Sequence, residues 1–146
     1  MTMTTLENLP ENNFIDLPRV LLVEDYPANI LVATTFLEQF GYSYDVASDG
    51  YKAIEKVKSG NYMAVLMDVQ MYGMDGFEAT RFIREYERST GRSPVTIIGM
   101  TAHALAGDRK RCIEAGMDDY IAKPFSPDLL ESKLAAVKEH CVSCPE

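Results

Sequence analysis

The sequence AVLMD at residues 64–68 decides the fold, because a short apolar run suited to a buried strand ends directly at a carboxylate, Asp68. Three other apolar segments end at polar residues: 20–23 lead to Glu24 and Asp25, 95–100 lead to Thr101, and 120–122 lead to Lys123. In open parallel sheets the carboxyl ends of the strands share one edge, where such proteins place their sites. We therefore expect three acids, a hydroxyl and an ammonium group to converge there, a set that suits a divalent metal ion and a phosphoryl group.

The chain alternates between predicted strands and helices from residue 19 onward. The strands are predicted at 19–24, 43–47, 63–67, 95–100 and 118–122, and the helices at 27–40, 50–58, 75–88, 104–114 and 127–139. Five β–α units in this order predict an α/β fold with a parallel sheet and helices on both faces. Among the apolar helix positions, Leu31, Phe82 and Leu129 are expected to pack inward.

Length and composition indicate one globular domain. The chain has 146 residues, 47% of them hydrophobic, with a net charge of −8. The negative charge argues against direct nucleic-acid binding, and the apolar runs are too short to insert into a membrane. Without a secretory signal the protein is expected to be cytoplasmic. Residues 1–17 are interpreted as a flexible leader or linker, 18–140 as the domain and 141–146 as a short tail.

Three cysteines have no clear chemical role in the sequence. Cys141 and Cys144 form a Cys-x-x-Cys pair, but no second ligand pair or strand–helix turn accompanies it, so we interpret it as part of an inert tail. Cys112 is predicted to be a small packing residue.

Five motifs follow the predicted strand ends in order: LVED (22–25), MDVQM (67–71), MDG (74–76), MTA (100–102) and KPF (123–125). Together they resemble the response-regulator receiver domain, the phosphoacceptor module of two-component and phosphorelay signalling, over about residues 19–140. The amino-acid sequences at residues 75–81 and 115–120 most resemble those of receivers in hybrid histidine kinases. The resemblance implies a flavodoxin-like (βα)5 fold with a five-stranded parallel sheet in the order 2-1-3-4-5.

The resemblance also implies a phosphoryl and Mg²⁺ site. Asp68 would accept a phosphoryl group from a phosphohistidine donor, which is a histidine kinase or a histidine phosphotransfer protein. Asp25 and Asp68 would bind Mg²⁺ directly, together with the main-chain carbonyl of Gln70, and Glu24 would act through water. The domain would assist its own phosphorylation and dephosphorylation and would not be an enzyme acting on other substrates.

Three further residues receive roles from the resemblance. Lys123 would pair with the phosphoryl oxygens, Thr101 would donate its hydroxyl to them, and Tyr120 would be the aromatic residue that rotates to change the interaction face. The output partner is not indicated. The bond between Lys123 and Pro124 matches a position where the family often has a cis peptide.

Alternative interpretations accompany several positions. Asp25 alone could cap a helix, and Asp75 is expected to be a cap rather than a metal ligand. Tyr72 stands where the family commonly has proline, so this loop gains an N–H group. Two other functions are alternatives: a phosphorylation-independent interaction module of receiver shape, and a phosphatase that uses an aspartyl phosphate. The phosphatase would require a carboxylate at the position of Gln70.

Overall fold

The computed structural model describes residues 19–102 and 106–143, which form alternating strands and helices. The strands are β1 (Arg19–Val23), β2 (Ser43–Ala47), β3 (Ala64–Asp68), β4 (Thr96–Thr101) and β5 (Asp119–Ala122). The helices are α1 (Pro27–Phe40), α2 (Gly50–Ser59), α3 (Gly76–Thr90), α4 (Ala106–Ala115) and α5 (Pro127–Ser143). These bounds agree with the predicted elements to within a few residues, the largest difference being the longer α5.

The sheet is parallel, with strand order β2-β1-β3-β4-β5, so the predicted topology is confirmed. Its register aligns the carboxyl ends of the strands. Val23 pairs with Met67, Asp68 pairs with Met100, and Thr101 pairs with Ala122. The polar residues at or just after these ends therefore meet at one edge of the sheet.

Each face of the sheet carries its own hydrophobic core. On one face, side chains of α2, α3 and α4 pack on the sheet, and on the other, side chains of α1 and α5 do so. Three predicted inward positions are wrong, because Leu31, Phe82 and Leu129 are 68%, 55% and 45% exposed. Each lies beside the buried stripe of its helix, and periodicity alone does not separate the margin of a stripe from its centre.

Side-chain caps fix the starts of three helices. Asp49 accepts from the amide of Lys52 at 2.8 Å, Asp75 from that of Glu78 at 2.9 Å, and Ser126 from that of Leu129 at 3.3 Å. The interpretation of Asp75 as a cap is thus confirmed. Asp25 is not a cap. The N-cap position of α1 is occupied by Tyr26, whose side chain makes no capping hydrogen bond.

The Arg84 side chain ties three segments together at the opposite edge of the sheet. Its guanidinium donates to the carbonyls of Gly116 and Val95, each at 2.8 Å. It also pairs with Glu87 at 2.8 Å and with Asp118 at 2.9 Å. This group joins α3 to the segments that precede β4 and β5, and so fixes where those strands begin.

Some expectations concern residues outside the described part of the chain, namely the leader at 1–17 and Cys144. Cys112 is fully buried, as predicted for a packing residue. Among residues 19–102 and 106–143, no helix combines the length and apolar character needed to cross a lipid bilayer.

Candidate functional site

Three carboxylates gather at the carboxyl edge of the sheet. Oxygen atoms of Glu24, Asp25 and Asp68 lie within 4.8 Å of one another. Glu24 and Asp68 are buried, and Asp25 is exposed. The Nζ atom of Lys123 lies 3.1 Å from Glu24 and 3.2 Å from Asp68, so one cation faces three acids.

The environment of Asp68 disfavours its charged form. Burial, followed by repulsion from the Glu24 carboxylate, raises the pKa of Asp68 from 3.8 to about 6. The Lys123 ammonium and the amide of Gln70, which donates to Asp68 at 3.1 Å, oppose only part of that rise. The site therefore holds more negative charge than the protein itself neutralises.

Protein donors already occupy both oxygens of Glu24. Oε1 accepts from Lys123, and Oε2 accepts from the amide of Tyr26 at 3.2 Å and from the side chain of Asn29 at 3.3 Å. Asp25, in contrast, accepts from the amide of Tyr72 at 3.1 Å and is otherwise turned to solvent. Asp25 and Asp68 are thus better placed than Glu24 to contact an ion directly.

The donor set fits Mg²⁺. Magnesium is a hard cation that prefers oxygen ligands and is commonly held by one or two carboxylates with several waters. An exposed carboxylate beside a buried one offers such ligands on a face that water can reach. The excess of negative charge around Asp68 gives the same indication.

Thr101 is buried at the end of β4, and its hydroxyl donates to Oδ2 of Asp108 in α4 at 2.7 Å. The amide of Lys123 donates to the carbonyl of Thr101 at 2.7 Å, which brings the ends of β4 and β5 together. The Lys123–Pro124 peptide bond that follows is cis, as the motif led us to expect.

Tyr120 lies on the same face of the sheet as Thr101. In the register of β4 and β5, Tyr120 pairs with Gly99 and Ala122 pairs with Thr101, and alternate residues of a strand share a face. The Tyr120 ring is partly buried against the core formed with α2, α3 and α4. Thr101 and the Tyr120 ring therefore lie on one face of the sheet, at the ends of neighbouring strands.

Gly76 positions the loop that follows Asp68. A Cβ atom at residue 76 would lie 2.3 Å from the carbonyl oxygen of Asp68, which is far inside van der Waals contact. The amide of Gly76 also donates to the carbonyl of Val69 at 3.1 Å. The start of α3 thus packs directly against the backbone of Asp68, and only glycine permits this approach.

Of the site residues expected from the sequence, the structure brings Glu24, Asp25, Asp68 and Lys123 into one cluster. The amide of Gln70 contacts Asp68, whereas Thr101 and Tyr120 lie near the ends of β4 and β5 on one face of the sheet. Sequence reasoning missed three contacts: Asn29 with Glu24, the amide of Tyr72 with Asp25, and Asp108 with Thr101. The contact of Asn29 with Glu24 could have been anticipated, because Asn29 lies in the first turn of the helix that follows the two acids. The other two contacts join distant elements and leave no mark in the local pattern.

Comparison with known proteins places this geometry in a family. The model of the response regulator receiver domain matches residues 20–135. The sensor protein GacS of Pseudomonas syringae is 44% identical over 120 residues, which are 82% of this chain. Those residues are only 13% of GacS, so the chain spans a small part of that relative.

Two solved structures are similar in sequence and fold. The receiver domain of a sensor histidine kinase from Pseudomonas aeruginosa, crystallised with a magnesium ion in its active-site cleft, is 42% identical with a TM-score of 0.73, covering 81% of this chain and 94% of that one. The receiver domain of the Saccharomyces cerevisiae response regulator Ssk1, crystallised with the histidine phosphotransfer protein Ypd1, is 30% identical with a TM-score of 0.77, covering 81% and 86%. With its strand order, its acid cluster and these matches, the chain belongs to the response regulator receiver domain family.

Proposed function

We propose that this domain accepts a phosphoryl group on Asp68 from a phosphohistidine donor, with Mg²⁺ bound, as one step of a phosphorelay. The observation that carries the proposal is the position of the Asp68 carboxylate, which lies at the end of β3, 3.2 Å from the Lys123 ammonium and next to two further acids. With a pKa of about 6, Asp68 is mostly ionised at neutral pH and is a competent nucleophile.

Each residue has a defined part in the transfer. An oxygen of Asp68 attacks phosphorus, and the phosphorus–nitrogen bond of the donor breaks with its electron pair passing to the histidine. Lys123 moves from its pairing with the two acids to the phosphoryl oxygens, and Thr101 donates its hydroxyl to them. The product is an acyl phosphate on Asp68, so the domain supplies the nucleophile for its own modification and the donor supplies the phosphoryl group.

Asp25, Asp68 and the main-chain carbonyl of Gln70 are the proposed Mg²⁺ ligands, with Glu24 acting through water. The ion supplies positive charge that offsets the phosphoryl oxygens during transfer. Related support comes from the Pseudomonas aeruginosa receiver, which was crystallised with magnesium in its cleft. The proposal also assigns the domain to the cytoplasm.

The test is the intact mass of the protein after incubation with acetyl phosphate, with and without Mg²⁺. We expect one phosphoryl adduct that requires Mg²⁺ and is lost in Asp68→Asn, because the amide cannot attack phosphorus. An adduct that persists in Asp68→Asn would move the acceptor elsewhere. Absence of any adduct would favour the phosphorylation-independent interaction module.

The main-chain amide of Tyr72 is expected to help hold the metal ligand Asp25, since it donates to that carboxylate at 3.1 Å. Tyr72→Pro removes this N–H group, whereas Tyr72→Ala removes the ring, which is 93% exposed, and keeps the N–H. We expect Mg²⁺ to bind Tyr72→Pro about fivefold more weakly than the wild type, as for loss of one ordinary hydrogen bond, and Tyr72→Ala with little change. The measurement is a Mg²⁺ titration followed by NMR; equal affinities in both variants would contradict this role.

The donor is proposed to be a histidine phosphotransfer protein that docks on α1. Leu31 and Val32 are exposed on this helix, and Val32 also lines an apolar cavity of about 280 Å³ that reaches Glu24 and Lys123. An apolar surface beside the acceptor suits a partner that must bring a phosphohistidine to Asp68. The receiver of Ssk1, which was crystallised with such a protein, supports the choice of partner.

Val32→Gln tests this surface without adding charge near the acids. Transfer from a phosphorylated phosphotransfer protein is expected to slow about tenfold, as for loss of one central apolar contact, while phosphorylation by acetyl phosphate stays unchanged. The matched control is Phe82→Gln, which alters an exposed apolar residue on α3 on the other face of the sheet. An equal loss with both donors, or in both variants, would place the docking surface elsewhere.

The output of the domain is proposed to be a change of its interaction face. When Thr101 turns toward the phosphoryl group, Tyr120 on the same face of the sheet rotates inward, and the surface formed by α4, β5 and α5 changes. The phosphoryl group favours this state only to the extent that it binds it better.

A further inference from the structure

The hydroxyl proton of Thr101 is engaged by a residue that the transfer does not use. Oγ1 of Thr101 donates to Oδ2 of Asp108 at 2.7 Å, and Thr101 is 1% exposed. A hydroxyl carries a single proton, and an ionised carboxylate can only accept. While Thr101 donates to Asp108, it cannot donate to a phosphoryl oxygen on Asp68.

The competing acceptor is a strong one. Hydrogen bonds to a carboxylate are shorter and stronger than those between neutral groups. Asp108 lies in the first turn of α4, whereas Thr101 ends β4, so the bond joins two elements across the groove that runs beside Gln70 and Tyr72. Turning the Thr101 hydroxyl toward Asp68 therefore breaks one link between the start of α4 and the end of β4.

We propose that Asp108 is a positioning residue that competes with the phosphoryl group for the Thr101 hydroxyl and so sets how tightly the site holds that group. The inference rests on the proposed function, because it requires a phosphoryl group at Asp68. When only a fraction of the molecules has the arrangement that can bind, the apparent affinity equals the intrinsic affinity multiplied by that fraction. The bond between Thr101 and Asp108 is the arrangement that must be given up.

The experiment measures the dissociation constant of beryllofluoride, a phosphoryl mimic, by calorimetric titration in excess Mg²⁺. Asp108→Ala is expected to bind about tenfold more tightly than the wild type, because a charge-assisted competitor has been removed. Asp108→Asn should fall between the two, since its amide oxygen still accepts the proton but carries no charge. Thermal melts establish that each variant is folded, and the isosteric Asp108→Asn keeps the comparison possible if Asp108→Ala is unstable.

A second pair of variants separates competition from simple charge repulsion. Removing a negative charge near an anion site tightens binding by itself, but that effect is the same for alanine and asparagine and does not depend on Thr101. In the Thr101→Ala background, competition predicts that Asp108→Ala no longer changes the beryllofluoride affinity. This loss of effect would support the proposal.

Other outcomes would overturn it. Equal tightening in Asp108→Ala and Asp108→Asn that persists in Thr101→Ala would assign the effect to charge alone. No tightening in Asp108→Ala, with normal binding by the wild type, would remove the role of Asp108 and leave the proposed function intact. Failure of the wild type to bind beryllofluoride would overturn both.

Discussion

Asp68→Asn is expected to take no phosphoryl group and yet to be more stable than the wild type without metal, by about 2–3 kcal/mol at pH 8. The pKa of Asp68 in the folded protein is about 6, against an ordinary value of 3.8. At pH 8 the folded protein must therefore keep a charge in surroundings that favour the neutral side chain. Asparagine has nearly the same shape and carries no charge.

The sign of the pH dependence follows from the direction of this shift. Between pH 4 and pH 6 the folded protein binds more protons at Asp68 than the unfolded chain, so the contribution of Asp68 to the stability of the wild type falls as the pH rises through this window. The advantage of Asp68→Asn should be small at pH 4 and complete above pH 6. Urea unfolding in EDTA at pH 4 and pH 8 measures it.

The control is Glu55→Gln, which removes the same charge from an exposed position on α2 and should show no comparable gain. Saturating Mg²⁺ should reduce or reverse the difference, because the ion binds the folded wild type and stabilises it by mass action. Equal stability of the wild type and Asp68→Asn in EDTA at pH 8 would contradict the charge imbalance.

Arg84→Ala is expected to lower the free energy of unfolding by about 3–5 kcal/mol. Arg84 is 13% exposed and its partner Glu87 is 4% exposed, so the variant leaves a buried carboxylate without its cation. The carbonyls of Gly116 and Val95 also lose their donor. Urea unfolding at neutral pH measures the change.

Arg88→Ala is the matched control, since Arg88 pairs with Glu85 on the same helix but both side chains are about two-thirds exposed, at 69% and 66%. Its loss should cost less than about 1 kcal/mol, as is usual for surface pairs. If the two variants are destabilised equally, the Arg84 group contributes no more than a surface ion pair, and another contact must fix the starts of β4 and β5.

The residue pattern predicted a parallel sheet and the end of that sheet at which polar residues gather, and the resemblance to receiver domains supplied the strand order. Strand ends are readable because an apolar run stops at a polar residue, and parallel topology then brings those ends together. The bonds of Thr101 with Asp108 and of Asp25 with Tyr72 were not predictable in this way. They depend on side-chain and loop geometry across elements, which hydrophobic periodicity does not encode.

The margins of the helix stripes show the same limit. Leu31 and Leu129 have the spacing of core residues, but they lie at the margins of their buried stripes and stay exposed. Exposed apolar residues of this kind indicate surfaces that bind other molecules, and they contribute little to the core.

The burial of β3 has a consequence for how a signal leaves the site. All five of its residues are buried, and its side chains pack in both hydrophobic cores, so the strand belongs to the most tightly packed part of the domain. Core strands of this kind unfold only when the whole domain unfolds, whereas loops unfold locally with a small change in free energy. A phosphoryl group on Asp68 is therefore attached to a rigid strand. The conformational change that transmits the signal has to occur in the loops and helix ends around the site.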